Sequence, residues 1–210
     1  MKKIMFSDKH CLTQAVLTGQ KTMTRRAVTM SLLDEYDAWY EDFTRKPIGE
    51  EDYLSTDEYV LKRTTHKVGD IVAIAQPYKD IIECLPMHSD AILDEVGMPR
   101  KEYKAGWTNK MFVRADLLPH HIRITDVKVE YLQNISDDDI LREGIYPQRF
   151  FNKEEYVLAT KGKMNNIPVR WQKIFPTPRE AFAALIDKIS GKGTWESNPW
   201  VVAYGFELVD

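Results

Sequence analysis

An α+β fold built on a small curled sheet follows from three features of the chain. Short apolar runs with strand alternation lie between separately capped helices, no strand-helix-strand rhythm repeats along the sequence, and one long strand changes its apolar parity part-way. Ile4 to Ser7 reads as a first strand. His10 to Thr18 reads as a short helix, with Leu12, Ala15 and Val16 on one stripe and Gly19 as a left-handed stop. Leu32, Tyr36, Trp39 and Phe43 then recur at helical spacing while Asp34, Glu35, Asp37, Glu41 and Asp42 fill other positions. An amphipathic helix with an acidic outer face and an aromatic stripe in the core is expected. Lys46 to Asp57, rich in Gly, Pro and acids, reads as a loop.

Val68-Gly69-Asp70 predicts a turn into the apolar strand Ile71 to Ala75. Between Gln76 and Asn109, Pro77, Pro86, Gly97, Pro99 and Gly106 interrupt any long element, and the sequence assigns none. Ile122 to Leu132 reads as a long strand whose apolar residues are even at Ile122 and Ile124 but odd at Val127, Val129 and Tyr131. A bulge near Thr125-Asp126 reconciles the two faces, and bulges help a sheet curl. Ser136 to Gly144 carries the marks of a brief helix: Ser136 as N-cap, Asp139 as its reciprocal partner, acids in the first turn and Gly144 as the stop. Thr177 and Pro178 open a longer helix whose stripe of Phe182, Leu185, Ile186 and Ile189 belongs to the core, closed by Gly191. The last strand, Val201 to Val209, should turn Val202, Tyr204, Phe206 and Leu208 inward and share one sheet with Ile71 to Ala75 and Ile122 to Leu132.

Composition limits the function classes. At 210 residues the chain holds one large domain or one domain with insertions, and 43% hydrophobic residues suffice for a core. A formal charge of -3 argues against a generally basic nucleic-acid binder, so any such contact must come from a local patch. Two cysteines, Cys11 and Cys84, make neither a disulfide framework nor a thiolate metal site. The adjacent His120 and His121 point to opposite faces of an extended chain and cannot chelate one ion, so no metal is expected. The apolar run Ile4-Met5-Phe6 is too short for a signal peptide and nothing later reaches transmembrane length, so a cytoplasmic protein without a membrane partner is expected. Neither a phosphate-loop nor a dinucleotide fingerprint nor a nucleophile elbow occurs, and no cofactor is expected.

The richest stretch is Gly19-Gln20-Lys21-Thr22-Met23-Thr24-Arg25-Arg26, which sets an amine, two hydroxyls and two guanidinium groups at a helix-to-strand corner. Glu143 breaks a local rule. A carboxylate in a last helical turn faces the negative end of the helix dipole, and such exceptions gather at functional sites, although an exposed surface glutamate is the commoner case. Trp107, Trp171, Trp195 and Trp200 fall in or beside expected loops, where an indole either packs or stacks on a base.

Together with Val68-Gly69-Asp70, Ile122 to Asp126, Val129 to Ser136, Glu143-Gly144-Ile145 and Asn198-Pro199-Trp200-Val201-Val202, the Gly19 to Arg26 stretch resembles the ASCH domain family in order and spacing, especially its longer, phage-associated branch. The resemblance spans nearly the whole chain as a single domain, residues 1–210. The blocks at about 31–66 and 146–175 look like insertions into the compact pattern. It implies a PUA-like curled sheet or β-barrel flanked by short helices, with a cleft that takes RNA or a modified nucleoside. Some compact members are amidohydrolases that deacetylate N4-acetylcytidine; by position in the motif, their catalytic lysine, threonine and glutamate correspond to Lys21, Thr24 and Glu143.

Three functions are therefore open. The first is binding of RNA or a modified nucleoside through a basic cleft around Lys21 to Arg26, with Thr22 on the ligand, Arg25 and Arg26 on phosphate and Trp107 stacked on a base. The second is an amidohydrolase. In it Thr24 attacks the acyl carbon or positions a water, a buried Lys21 takes the proton and Glu143 serves the leaving amine. That reading sets a condition, because Lys21 and Thr24 would face opposite sides of an unbroken strand. The third is a protein-interaction module that uses the acidic helix around Trp39.

Overall fold

A computed structural model describes residues 1–45, 53–84, 92–150, 153–164 and 167–209. The main sheet has five strands: β1 (Lys2–Ile4), β2 (Met23–Ala27), β3 (Ile71–Ile74), β4 (His121–Tyr131) and, last in the chain, β8 (Trp200–Leu208), in the order β1-β3-β4-β8-β2. All its pairings are antiparallel except β1 on β3, where Lys2 sits opposite Val72 and Ile4 opposite Ile74. The architecture is thus α+β, and the three strands expected to share a sheet do so. The sheet is not closed into a barrel: β1 and β2 are its edges and exchange no ladder. A side chain bridges the gap between them, the Arg26 guanidinium donating to the carbonyl of Met5, just past β1.

The apolar run at 71–75 has a reason. Val72 and Ile74 enter the main core, whereas Ala73 and Ala75 turn to a second, smaller core with Tyr78, Ile81, Ile92, Val113 and Leu118. A strand buried on both faces loses the polar alternation of a half-exposed one. The parity change in β4 is a register shift between Ile124 and Asp126 against β8, so Ile122 and Ile124 stay buried while Val127 and Val129 are half-buried against the same core. On β8, Val202, Tyr204 and Phe206 are buried, but Leu208 is 36% exposed. Its expected place inside is corrected, because the inner face runs out one residue pair before the strand ends.

The flanking helices are α1 (Leu12–Leu17), α2 (Met30–Arg45), α3 (Thr56–Lys62), α4 (Tyr78–Ile81), α5 (Lys104–Thr108), α6 (Asp137–Arg142), α7 (Pro178–Ser190) and α8 (Thr194–Ser197). Helix α7 begins as expected: Thr177 accepts from the Glu180 N–H, and Phe182, Leu185 and Ile186 are buried, although Ile189 is 40% exposed. Helix α2 departs from expectation. None of its residues is buried, and its aromatic stripe packs sideways, with Tyr36 and Trp39 at 5.2 and 5.4 Å from the Tyr59 ring of α3. The expected loop from Lys46 lies outside the described residues as far as Asp52, and it ends before Asp57, which is helical in α3 behind Ser55, whose N–H donates to Glu58.

Two further differences concern the ends of elements. The first strand covers Lys2–Ile4 rather than Ile4 to Ser7, and the first helix is shorter than His10 to Thr18. The block 146–175 forms a separate antiparallel sheet of β5 (Tyr146–Phe150), β6 (Lys153–Met164) and β7 (Ile167–Phe175). No helix among the described residues is long and apolar enough to cross a membrane.

Candidate active site

Lys21 and Thr24 arrive on one pocket because the chain is not yet extended at Lys21. Gln20 to Thr22 precede β2, and the corner is pinned twice, by Lys21 N–H to the Ala15 carbonyl (2.9 Å) and Thr22 N–H to the Arg142 carbonyl (2.9 Å). Two residues later the chain becomes a strand on the free edge of β8. A pocket wraps that edge, lined among others by Phe6, Lys21, Thr24, Arg26 and Glu143 and by Leu185 and Ile186 of α7.

Lys21 is 2% exposed and Glu143 3%. A lysine so deeply buried is rare without a partner, and here Nζ donates to Glu143 Oε2 at 2.6 Å and to the Glu143 main-chain carbonyl at 2.9 Å. Glu143 caps the C-terminus of α6, where the exposed carbonyls and its own carboxylate put negative charge together. The Lys21 ammonium answers both. Burial lowers the Lys21 pKa, with the Arg26 and Arg25 charges adding to the effect and Glu143 opposing it. Thr24 is buried and lines the same pocket, and its hydroxyl has no hydrogen bond to another described residue.

Arg25 has a different role from the phosphate contact expected of it. Its side chain is 1% exposed and is held by three carboxylates: Nη2 to Glu130 Oε1 at 2.7 Å and to Asp139 Oδ2 at 3.1 Å, and Nη1 to Glu143 Oε1 at 3.1 Å. The pleat brings these groups together. Arg25 and Lys128 both lie opposite Ala203, which is too small to separate them, and Asp139 and Glu143 stand four apart on α6. Lys128 reaches Asp139 at 2.6 Å and Arg142 reaches it at 3.2 Å. Burial by itself would raise the Asp139 pKa, yet Lys128 and Arg25 outweigh it and the net direction is down. Ser136 does accept from the Asp139 N–H at 3.2 Å, but the Asp139 carboxylate is spent on these cations and not on the reciprocal cap.

The chain matches no protein-family model, no curated protein and no solved structure.

Thr22 lies off the pocket: its hydroxyl accepts from Arg142 Nε at 3.3 Å and its carbonyl from the Phe206 N–H, so it ties β2 to α6 and β8. Trp107 also lies elsewhere, on α5 against the second core, and does not line the pocket. Trp195 packs edge-on to Phe182 at 6.0 Å and Trp200 stacks on Tyr131 at 4.1 Å. The Trp171 side chain lies outside the described residues. Arg26 is exposed and among the described residues pairs with no carboxylate. Glu130 stands within the Val129 to Ser136 block and Asp139 in the expected cap, yet neither position announces a charge partner for Arg25. The four-residue step from Asp139 to Glu143 was the available signal. Among the described residues, no cluster of three or more His, Cys, Asp or Glu could hold a metal ion.

Proposed function

We propose that this chain is an ASCH-type, PUA-like amidohydrolase that removes the acyl group from N4-acetylcytidine-like nucleosides. One observation carries the reading: a buried lysine and glutamate, hydrogen-bonded at 2.6 Å, line a pocket that Thr24 also lines. Amide hydrolysis needs a nucleophile, a proton acceptor and a donor to the leaving nitrogen. Thr24 Oγ1 adds to the acyl carbon while Lys21, in molecules where it has already lost its ammonium proton to solvent, takes the hydroxyl proton. That proton passes along the Lys21-Glu143 hydrogen bond to the nitrogen of the departing cytidine amine as the C–N bond breaks. Water then hydrolyses the acyl-threonine, which releases the acid and restores the hydroxyl.

The charges at the corner favour chemistry over charge-driven RNA binding. Lys21 and Arg25 are both neutralised by carboxylates, so little of their field reaches a polyanion. The test is direct: the purified protein is incubated with N4-acetylcytidine, and acetate and cytidine are followed by chromatography. Release in equal amounts, lost in Thr24→Ala and Glu143→Gln, supports the assignment. Absence of both products, with cytidine or RNA still bound, would make the protein a binding module.

A further inference from the structure

A second cleft adjoins the pocket. Arg26 and Ala27 line both. Part of the cleft's lining comes from α2, α3 and the residues just after α3, all in the 31–66 block, and includes Glu35, Val60, Arg63 and Thr65. Two arginines line it under different restraints. Arg26 is anchored to the Met5 carbonyl and keeps the remainder of its five N–H donors. Arg63 lies over the Tyr59 ring at 3.6 Å, is exposed, and among the described residues pairs with no carboxylate. An unpaired, pre-positioned guanidinium is the protein's best phosphate receptor, because its planar fork matches two phosphate oxygens. Arg25, by contrast, has no capacity left.

We propose that this second cleft is a phosphate subsite read by Arg63 with Arg26, and that the natural ligand is a cytidine nucleotide, its phosphate ester lying beyond the sugar, and not the free nucleoside. The acyl end of the proposal rests on the amidohydrolase reading; the phosphate end does not. Arg26, shared by both cavities, sets the base on one side and the phosphate on the other. Val60 and Thr65 line the same cleft and would flank the sugar. Glu35, exposed at the same cleft, opposes the phosphate and limits its affinity.

Calorimetric titration with cytidine and with cytidine 5′-monophosphate decides the matter. The phosphate should tighten binding about tenfold or more, as expected for a charge-assisted hydrogen bond worth about 1.5 kcal/mol or above. Arg63→Ala should bring the nucleotide-to-nucleoside ratio towards one, Arg63→Lys should keep part of it, and Glu35→Gln should raise it. Arg63 is exposed at the end of α3, and an unchanged melting temperature would confirm that the variants fold. Equal affinity for the two ligands, or a ratio that Arg63→Ala leaves intact, overturns the subsite. A short cytidine-containing RNA in the same titration separates an internal phosphodiester from a free nucleotide as the source of the phosphate. Acetate release from N4-acetylcytidine is scored separately: turnover without a phosphate gain removes the subsite alone, and a phosphate gain without turnover removes the hydrolase reading alone.

Discussion

Lys21 grips Glu143 at two points, the carboxylate at 2.6 Å and the main-chain carbonyl at 2.9 Å, so one ammonium both pairs with the acid and closes the helix that carries it. Glu143 has a second cation, Arg25, on its other oxygen at 3.1 Å, whereas among the described residues Lys21 has no second carboxylate.

That asymmetry predicts unequal costs. Glu143→Met strips a carboxylate from two buried cations and should cost about 3–5 kcal/mol in urea unfolding. Lys21→Met leaves Glu143 paired with Arg25 and should cost clearly less. Equal losses would mean that Arg25 does not support Glu143.

The pH dependence of turnover should follow Lys21. Its pKa lies below the ordinary 10.5, chiefly through burial, and the neutral amine is the base. kcat/KM should therefore climb with pH as Lys21 loses its proton, half-way at a value below 10.5. The climb should be missing in Lys21→Ala, whose residual rate should be flat over the same range.

Asp139 predicts a change in acid stability. Its folded pKa is below the usual 3.8, because Lys128 and Arg25 outweigh the effect of burial. The folded state thus gives up this proton more readily than the unfolded chain. The stabilisation is full above 3.8 and is lost as pH falls through the lower folded value. Asp139→Asn should flatten that part of an acid-unfolding curve and lower the melting temperature at neutral pH by several degrees.

Gly144 couples backbone to site. It adopts φ +95°, and a Cβ there would lie 3.1 Å from Leu12 Cδ2 and 3.6 Å from Lys21 Cβ. Gly144→Ala should cost about 1–3 kcal/mol by thermal unfolding. It should also depress turnover of N4-acetylcytidine beyond what the lost stability explains, because the added methyl crowds Leu12, which lines the same pocket.

Local rules made much of this legible in the sequence. The Thr177-Pro178 start, the Ser136 cap and the parity break at Thr125-Asp126 each follow from side-chain chemistry within a few residues, and each is present. Non-local features were not legible. Parallel pairing of Lys2–Ile4 with β3 joins residues 70 positions apart, and nothing in so short a strand announces it. In β6 the middle of the strand is apolar on both faces, Val157 and Ala159 on one and Leu158 on the other, so alternation gives no face to read. At the site, the residue types around Lys21 stood out, but charge pairing is settled in three dimensions. Arg25 and Arg26 are neighbours in sequence, yet one is locked among carboxylates and the other faces open clefts.

A sheet that stops short of closing keeps two rims of unsatisfied backbone, and such rims invite another chain to add a strand. Here the rim just past β1 is already occupied: Arg26 takes the Met5 carbonyl, and Lys110 and the Thr13 hydroxyl take that of Phe6. These bonds come from side chains, two of them charged, and an incoming strand would have to displace both cations before it could dock. At this rim, the one that follows β1, side chains of the same chain hold the positions an added strand would need.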